Sequence, residues 1–133
     1  MTDWFAPCLS DRELGAMSVL ALAHVGDGVY ELLVRTRLAR QGISRVNDLH
    51  RATVALVKAP AQAQAMEKLL PVLTEKELAV YKRGRNTKTH AAPNQATVSE
   101  YHAATGLETL FGYLYLQGDY PRVEELFRLA MED

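Results

Sequence analysis

Two carboxylates stand in stretches that otherwise suit a protein interior. Asp27 interrupts SVLALAHVGDGVYELLVR (residues 18–35), set between Gly26 and Gly28. Glu108 interrupts YHAATGLETLFGYLYLQG (residues 101–118), with Gly112 one helical turn further on. A charge taken out of water needs compensation. Three forms are open to this pair: one shared proton, with a raised pKa on one carboxyl; a basic side chain, for which Arg35 or Arg37 is near in sequence; or a divalent cation. Asp and Glu offer only hard oxygen donors. Those suit Mg²⁺, which keeps several waters and often needs just one or two protein carboxylates. A plain structural role, capping or ion pairing, competes with the metal.

A second chemistry is written in YKRGRNTKTHAAPN (residues 81–94). Lys82, Arg83, Arg85 and Lys88 fall within seven residues, and no acid occurs from Leu78 to Ser99. Asn86, Thr87 and Thr89 add neutral donors, His90 follows, and Gly84 and Pro93 predict a shaped loop. Phosphate oxygens accept hydrogen bonds from such groups, and their neutralisation gives affinity without reading sequence. No aromatic residue is interleaved, so a duplex backbone matches better than stacked single-stranded bases. The competing reading is a solvated loop.

The elements that must position these groups are helical. Wound at about 100° per residue, residues 17–40 carry one apolar stripe through Leu22, Val25, Val29 and Leu33. On the other side, Leu20, Ala23, Tyr30, Val34 and Leu38 surround Asp27, with His24 and Glu31 the polar exceptions. A helix apolar on nearly all sides is expected to be central, with Asp27 enclosed by protein and His24 packed in the core. Glu31 is expected to pair with Arg35. Glu108 shares its face with Tyr101, Ala104, Thr105, Phe111, Gly112 and Tyr115. If the two faces pack, Asp27 and Glu108 become neighbours, and Tyr101 and Tyr115 wall the site or a subunit interface.

Other boundaries follow from caps and breakers. Gly42 ends the first helix, Ser44 or Asn47 can cap a second through DLHRATVALVKA, and Pro60 opens a third over AQAQAMEKLL. Thr74 with Glu77 forms a capping box before EKELAVYKRG. A long helix from about Val98 to Gln117 ends at Gly118, and Pro121 opens the last. No period-two run suggests a strand.

Composition agrees with one all-helical domain over residues 1–133. The chain is 48% apolar and 23% charged, within the globular range. No apolar run is long enough to span a membrane, and the N-terminus lacks the basic start of a signal peptide. Cys8 stands alone, which excludes an internal disulfide and fits a reducing cytosol; an ordinary small apolar role is expected for it. The net charge of −1 hides a division: residues 1–31 hold one Arg against five acids, residues 32–99 twelve Lys/Arg against four, and residues 100–133 two Arg against seven. A basic middle suits a polyanion, and an unevenly charged solvated surface would look the same.

Taken together, these segments resemble the ribonuclease III family. LALAHVGDGVYELLVR is similar to that domain's signature helix, with its Gly-Asp pair, and TGLETLFGYLYL to its second acidic helix. RGRNTK, then a proline, then ATVSEYHAATGLETL is similar to the same passage in the short bacterial branch, mini-ribonuclease III. The resemblance covers roughly residues 15–130. It implies that Asp27 and Glu108 are the catalytic, metal-ligating residues, with Mg²⁺ as cofactor and Mn²⁺ able to substitute. Two further acids common in longer enzymes are replaced by Ala23 and Thr105, which is typical of the short branch. Lys82, Arg83, Arg85, Asn86 and Lys88 are the implied RNA-binding residues, and Asn94 stands where the branch often has lysine. Also implied are a cytoplasmic homodimer and cleavage of double-stranded RNA, with the 23S ribosomal RNA precursor as substrate and 5′-phosphate and 3′-hydroxyl ends as products. No double-stranded-RNA-binding domain is expected after Asp133. Competing readings are a catalytically silent ribonuclease III-like dimer that binds structured RNA, and an all-helical protein–protein module.

Overall fold

Helix starts follow side chains that satisfy otherwise unpaired backbone N–H groups. The computed structural model describes residues 3–87 and 96–132. Its helices are α1 (Asp11–Ala16), α2 (Val19–Arg40), α3 (Val46–Val57), α4 (Ala59–Leu69), α5 (Glu75–Arg85), α6 (Val98–Gln117) and α7 (Tyr120–Met131), with a 3₁₀ turn at Leu70–Val72 between α4 and α5. No strand occurs among the described residues. Ser10, Thr74 and Thr97 form capping boxes with Glu13, Glu77 and Glu100, and Ser18 Oγ accepts from the Ala21 N–H. At α3 the expectation fails: neither Ser44 nor Asn47 caps it, and Arg45 holds the cap position without a side-chain bond. Gly42 and Gly118 follow α2 and α6 with φ of +89° and +90°, where a side chain would be strained.

The central element is α6, which touches α1, α2, α4, α5 and α7. Leu107, Leu110, Phe111 and Leu114 are buried on several of its sides. The Tyr30 ring of α2 meets Phe111 edge-on at 5.1 Å and Phe127 of α7 at 5.7 Å. Two glycine contacts set how α6 meets its neighbours. A Cβ on Gly26 would overlap the Glu108 carbonyl and lie 2.7 Å from the Gly112 N; one on Gly112 would overlap the Leu22 carbonyl and lie 2.9 Å from the Gly26 N. So α2 and α6 touch backbone to backbone. Similarly, a Cβ on Gly84 would lie 2.9 Å from the Gly106 Cα, and one on Gly106 2.6 Å from Cδ1 of the Tyr81 ring.

Gly84 is therefore a packing residue inside α5, which continues through Arg85. Lys82, Arg83 and Arg85 occupy a last helical turn, not the loop the sequence suggested. The partner helix decides this, because Gly84 has a close neighbour to accommodate. A buried ion pair ties α7 to the start of α5. Arg122 Nε and Nη2 donate to the two Glu77 carboxylate oxygens at 2.8 Å each, and Nη2 also donates to the Val72 carbonyl at 2.8 Å. The chain ahead of α1 is strapped to the far end of α6: Leu9 N–H donates to the Leu116 carbonyl at 2.8 Å, and Tyr115 Oη to the Trp4 carbonyl at 2.7 Å. Tyr115 thus holds the N-terminal segment, and Cys8 beside it is exposed.

Candidate functional site

Asp27 and Glu108 flank the Gly26–Gly112 crossing, Asp27 immediately after Gly26, and Glu108 through its own carbonyl against Gly26. The two faces do pack, and the carboxyls interact. Burial above all, then the negative charge and hydrogen bond of Asp27, push the Glu108 carboxyl up to about 8, and a hydrogen bond from the Gln62 side chain opposes the rise. In the metal-free chain, then, Glu108 keeps its proton at neutral pH.

The pair is unequal. Glu108 is half-buried, whereas Asp27 is exposed, and so is His24 one turn before it. Both expectations of enclosure fail for one reason. Leu22, Ala23, Gly26, Tyr30, Val34 and Leu38 of α2 are covered by the fold, but the side carrying Leu20, His24, Asp27, Gly28 and Leu32 faces outward in the single chain.

The basic remedy drops out among the described residues. Arg35 Nη2 pairs with Glu31 at 2.7 Å, as its spacing predicts, and Arg37 Nη1 donates to Met131 Sδ at 3.2 Å. No described Lys or Arg pairs with Asp27 or Glu108. Among the described residues no group of three or more His, Cys, Asp or Glu converges. Ala23 and Thr105 are buried, and Thr105 Oγ1 donates to the Tyr101 carbonyl at 3.1 Å. Tyr101 itself is half-buried beside His102. Two adjacent hard oxygen donors, without a cationic partner among the described residues and open on the Asp27 side, fit a divalent ion that keeps most of its waters.

Sequence reasoning missed a third member. Gln62 of α4 is 2% exposed, and its side chain lies against Glu108. A signal was available: Gln62, Ala65, Met66 and Leu69 share the buried stripe of α4, with Gln62 its polar member.

The basic residues stand at the C-terminal end of α5, where cations complement the helix dipole. Lys82 and Arg83 are exposed. The Arg85 guanidinium sits 5.6 Å from the Tyr81 ring centroid, and its Nε donates to Asn86 Oδ1 at 3.2 Å. Lys88, His90 and Asn94 lie outside the described residues. Because Gly84 packs on Gly106 and Thr109, this turn stands beside the stretch of α6 that carries Glu108.

Residues 20–119, most of the chain and including both carboxylates, match the model of the Ribonuclease III domain. The chain belongs to the ribonuclease III family. Within that family it is 50% identical to a Mini-ribonuclease 3 from Symbiobacterium thermophilum over 113 residues, which span 85% of this chain and 87% of that one. It is 44% identical to a Mini-ribonuclease 3 from Enterococcus faecalis, over 91% of this chain and 93% of that one. A crystal structure of a Fusobacterium nucleatum protein superposes with a TM-score of 0.80 at 28% identity, covering 87% of this chain and 94% of the other. As a family member the chain is an endoribonuclease acting on double-stranded RNA with a divalent cation. No helix among the described residues is long and apolar enough to cross a membrane.

Proposed function

We propose that this chain is a Mg²⁺-dependent endoribonuclease whose single domain, residues 1–133, holds the ion between Asp27 and Glu108, with Mn²⁺ able to substitute. It acts as a cytoplasmic homodimer on duplex segments of the 23S ribosomal RNA precursor, leaving 5′-phosphate and 3′-hydroxyl ends. The observation that carries this reading is a half-buried carboxyl with a raised pKa beside an exposed one, with no described cationic partner. When bound, a divalent ion lowers the pKa of a coordinated water and polarises the scissile phosphate. Glu108 supplies its oxygens from the protein side and gives up its proton as the ion is held. Asp27 supplies its oxygens from the open side, where a duplex can approach. Lys82, Arg83, Arg85, Asn86 and Lys88 contact phosphates and 2′-hydroxyls, the groups through which duplex RNA is mainly read. The 23S substrate and the homodimer rest on the resemblance of the sequence motifs to the short branch of the family, and the dimer also on the exposed Leu20 and Leu32 of α2.

The test is cleavage of a long duplex RNA with Mg²⁺ against an EDTA control. Asp27→Asn and Glu108→Gln should each cut cleavage by at least about 100-fold, since losing a ligand costs no less than losing its support. Helix content and duplex binding should persist. Full cleavage by either variant would overturn the assignment, and duplex binding without any cutting by the wild type would mark a silent RNA-binding dimer. Mapping the ends formed on a precursor 23S transcript checks the substrate.

A further inference from the structure

Among the described residues, five polar ones are buried: Thr53, Gln62, Glu77, Thr105 and Thr109. Four are fully explained. Each threonine hydroxyl donates to the carbonyl four residues earlier, and Glu77 accepts from Arg122 and from the backbone of Thr74. Gln62 is different. Its Nε2 donates to the Val57 carbonyl at 2.9 Å, which fixes the way the amide is turned, and the same side chain lies against the Glu108 carboxyl. Its Oε1 is buried and has no partner. A buried acceptor without a donor costs stability, and a leucine or methionine would fill the same space without that cost. An ion held by only two protein carboxylates keeps waters that need acceptors, and ligand carboxylates are usually held by further hydrogen bonds.

We propose that Gln62 is a positioning residue of the cation site: its amide fixes the Glu108 carboxylate, and its free Oε1 accepts a hydrogen from a water of the ion's shell. This rests on the reading of Asp27 and Glu108 as the ion's ligands, so the experiment separates the two. Mn²⁺ binding is measured without RNA, by paramagnetic resonance of the free ion, on the wild type and on Asp27→Asn, Gln62→Leu, Gln62→Met and Gln62→Glu. Metal-free thermal midpoints are recorded in parallel.

Asp27→Asn should abolish binding. Gln62→Leu should weaken it by at least about tenfold, the usual scale for missing ligand support, and the metal-free midpoint shows separately what losing the bond to the Val57 carbonyl costs the fold. Gln62→Glu keeps an acceptor oxygen of the same shape. It should bind Mn²⁺ near wild-type affinity, although a third carboxyl lowers its metal-free midpoint. Wild-type affinity in Gln62→Leu, whatever its midpoint, would overturn the proposal and leave the carboxylate pair standing. Should Gln62→Leu fail to fold, Gln62→Met decides: binding weakened by about tenfold supports the role, and wild-type affinity overturns it. Equal binding by wild type and Asp27→Asn would sink both readings.

Discussion

Asp27 and Glu108 are chemically alike, and surroundings alone separate them. Asp27 projects from the uncovered side of α2, while Glu108 sits against the α2 backbone and Gln62. The consequence is a pH dependence of the metal-free protein. Glu108 moves from an ordinary value of 4.5 to about 8 in the folded chain. Below 4.5 it is neutral in both states and costs nothing. Between the two values it is protonated only when folded, and above 8 it must ionise next to Asp27. Stability contributed by the protonated form is thus lost as pH rises across this window. Glu77 shifts the opposite way, held below its usual range by Arg122, so its loss of stability falls on the acid side of 4.5. The urea midpoint of EDTA-treated protein should therefore fall between about pH 5 and about pH 8.5, and Glu108→Gln should flatten that slope. An equally steep fall in Glu108→Gln would refute this. Adding Mg²⁺ should restore the wild type at the alkaline end and leave the variant unmoved.

At the scale of elements, the site depends on how closely two helices approach. Gly26 and Gly28 flank the same aspartate and serve opposite needs. Any side chain at Gly26 collides with α6, whereas nothing lies within 4 Å of a Cβ at Gly28. Gly26→Ala should lower the unfolding free energy by about 3 kcal/mol or more, because backbone cannot move aside as a side chain can. Gly28→Ala, inside an α-helix, should raise it by about 0.5–1 kcal/mol. Urea titrations of the two variants check the sign directly, and a stable Gly26→Ala would contradict the backbone contact. The same logic explains Gly84. In isolation it reads as a loop residue; against Gly106 it is the only size that fits.

Across the whole molecule, two surfaces remain to be matched with partners. The outer stripe of α2 leaves Leu20 52% and Leu32 63% exposed, with Asp27 between them. A second copy packed on Leu32, leaving Asp27 uncovered, would bring the two sites into one assembly. Light scattering should then give about twice the chain mass of 14.8 kDa, and Leu32→Glu should give a monomer. A wild-type monomer at micromolar concentration would exclude this. The basic turn at the end of α5 is the other surface. Arg83→Ala combined with Arg85→Ala should weaken binding to duplex RNA at all sequences alike. It should also lower the slope of log affinity against log salt by about two, one for each phosphate that is no longer neutralised. An unchanged slope would remove the turn from the interface.

Helical class, most helix boundaries and the two odd carboxylates were determined by local pattern alone. Caps such as Thr74 with Glu77, breakers such as Pro121 and the 3.6-residue spacing act within a turn or two of chain. The unmarked start of α3 at Arg45 shows where no such signal exists. Tertiary packing decided which sides of each helix are covered. It left Asp27 and His24 outside and drew Glu108 inward. It also turned Gly84 from a bend into a contact and brought Gln62, inconspicuous within an alanine-rich segment, against an acid 46 positions away. Periodicity reports that a face is apolar, but burial needs a neighbour, and the neighbour lies far along the chain.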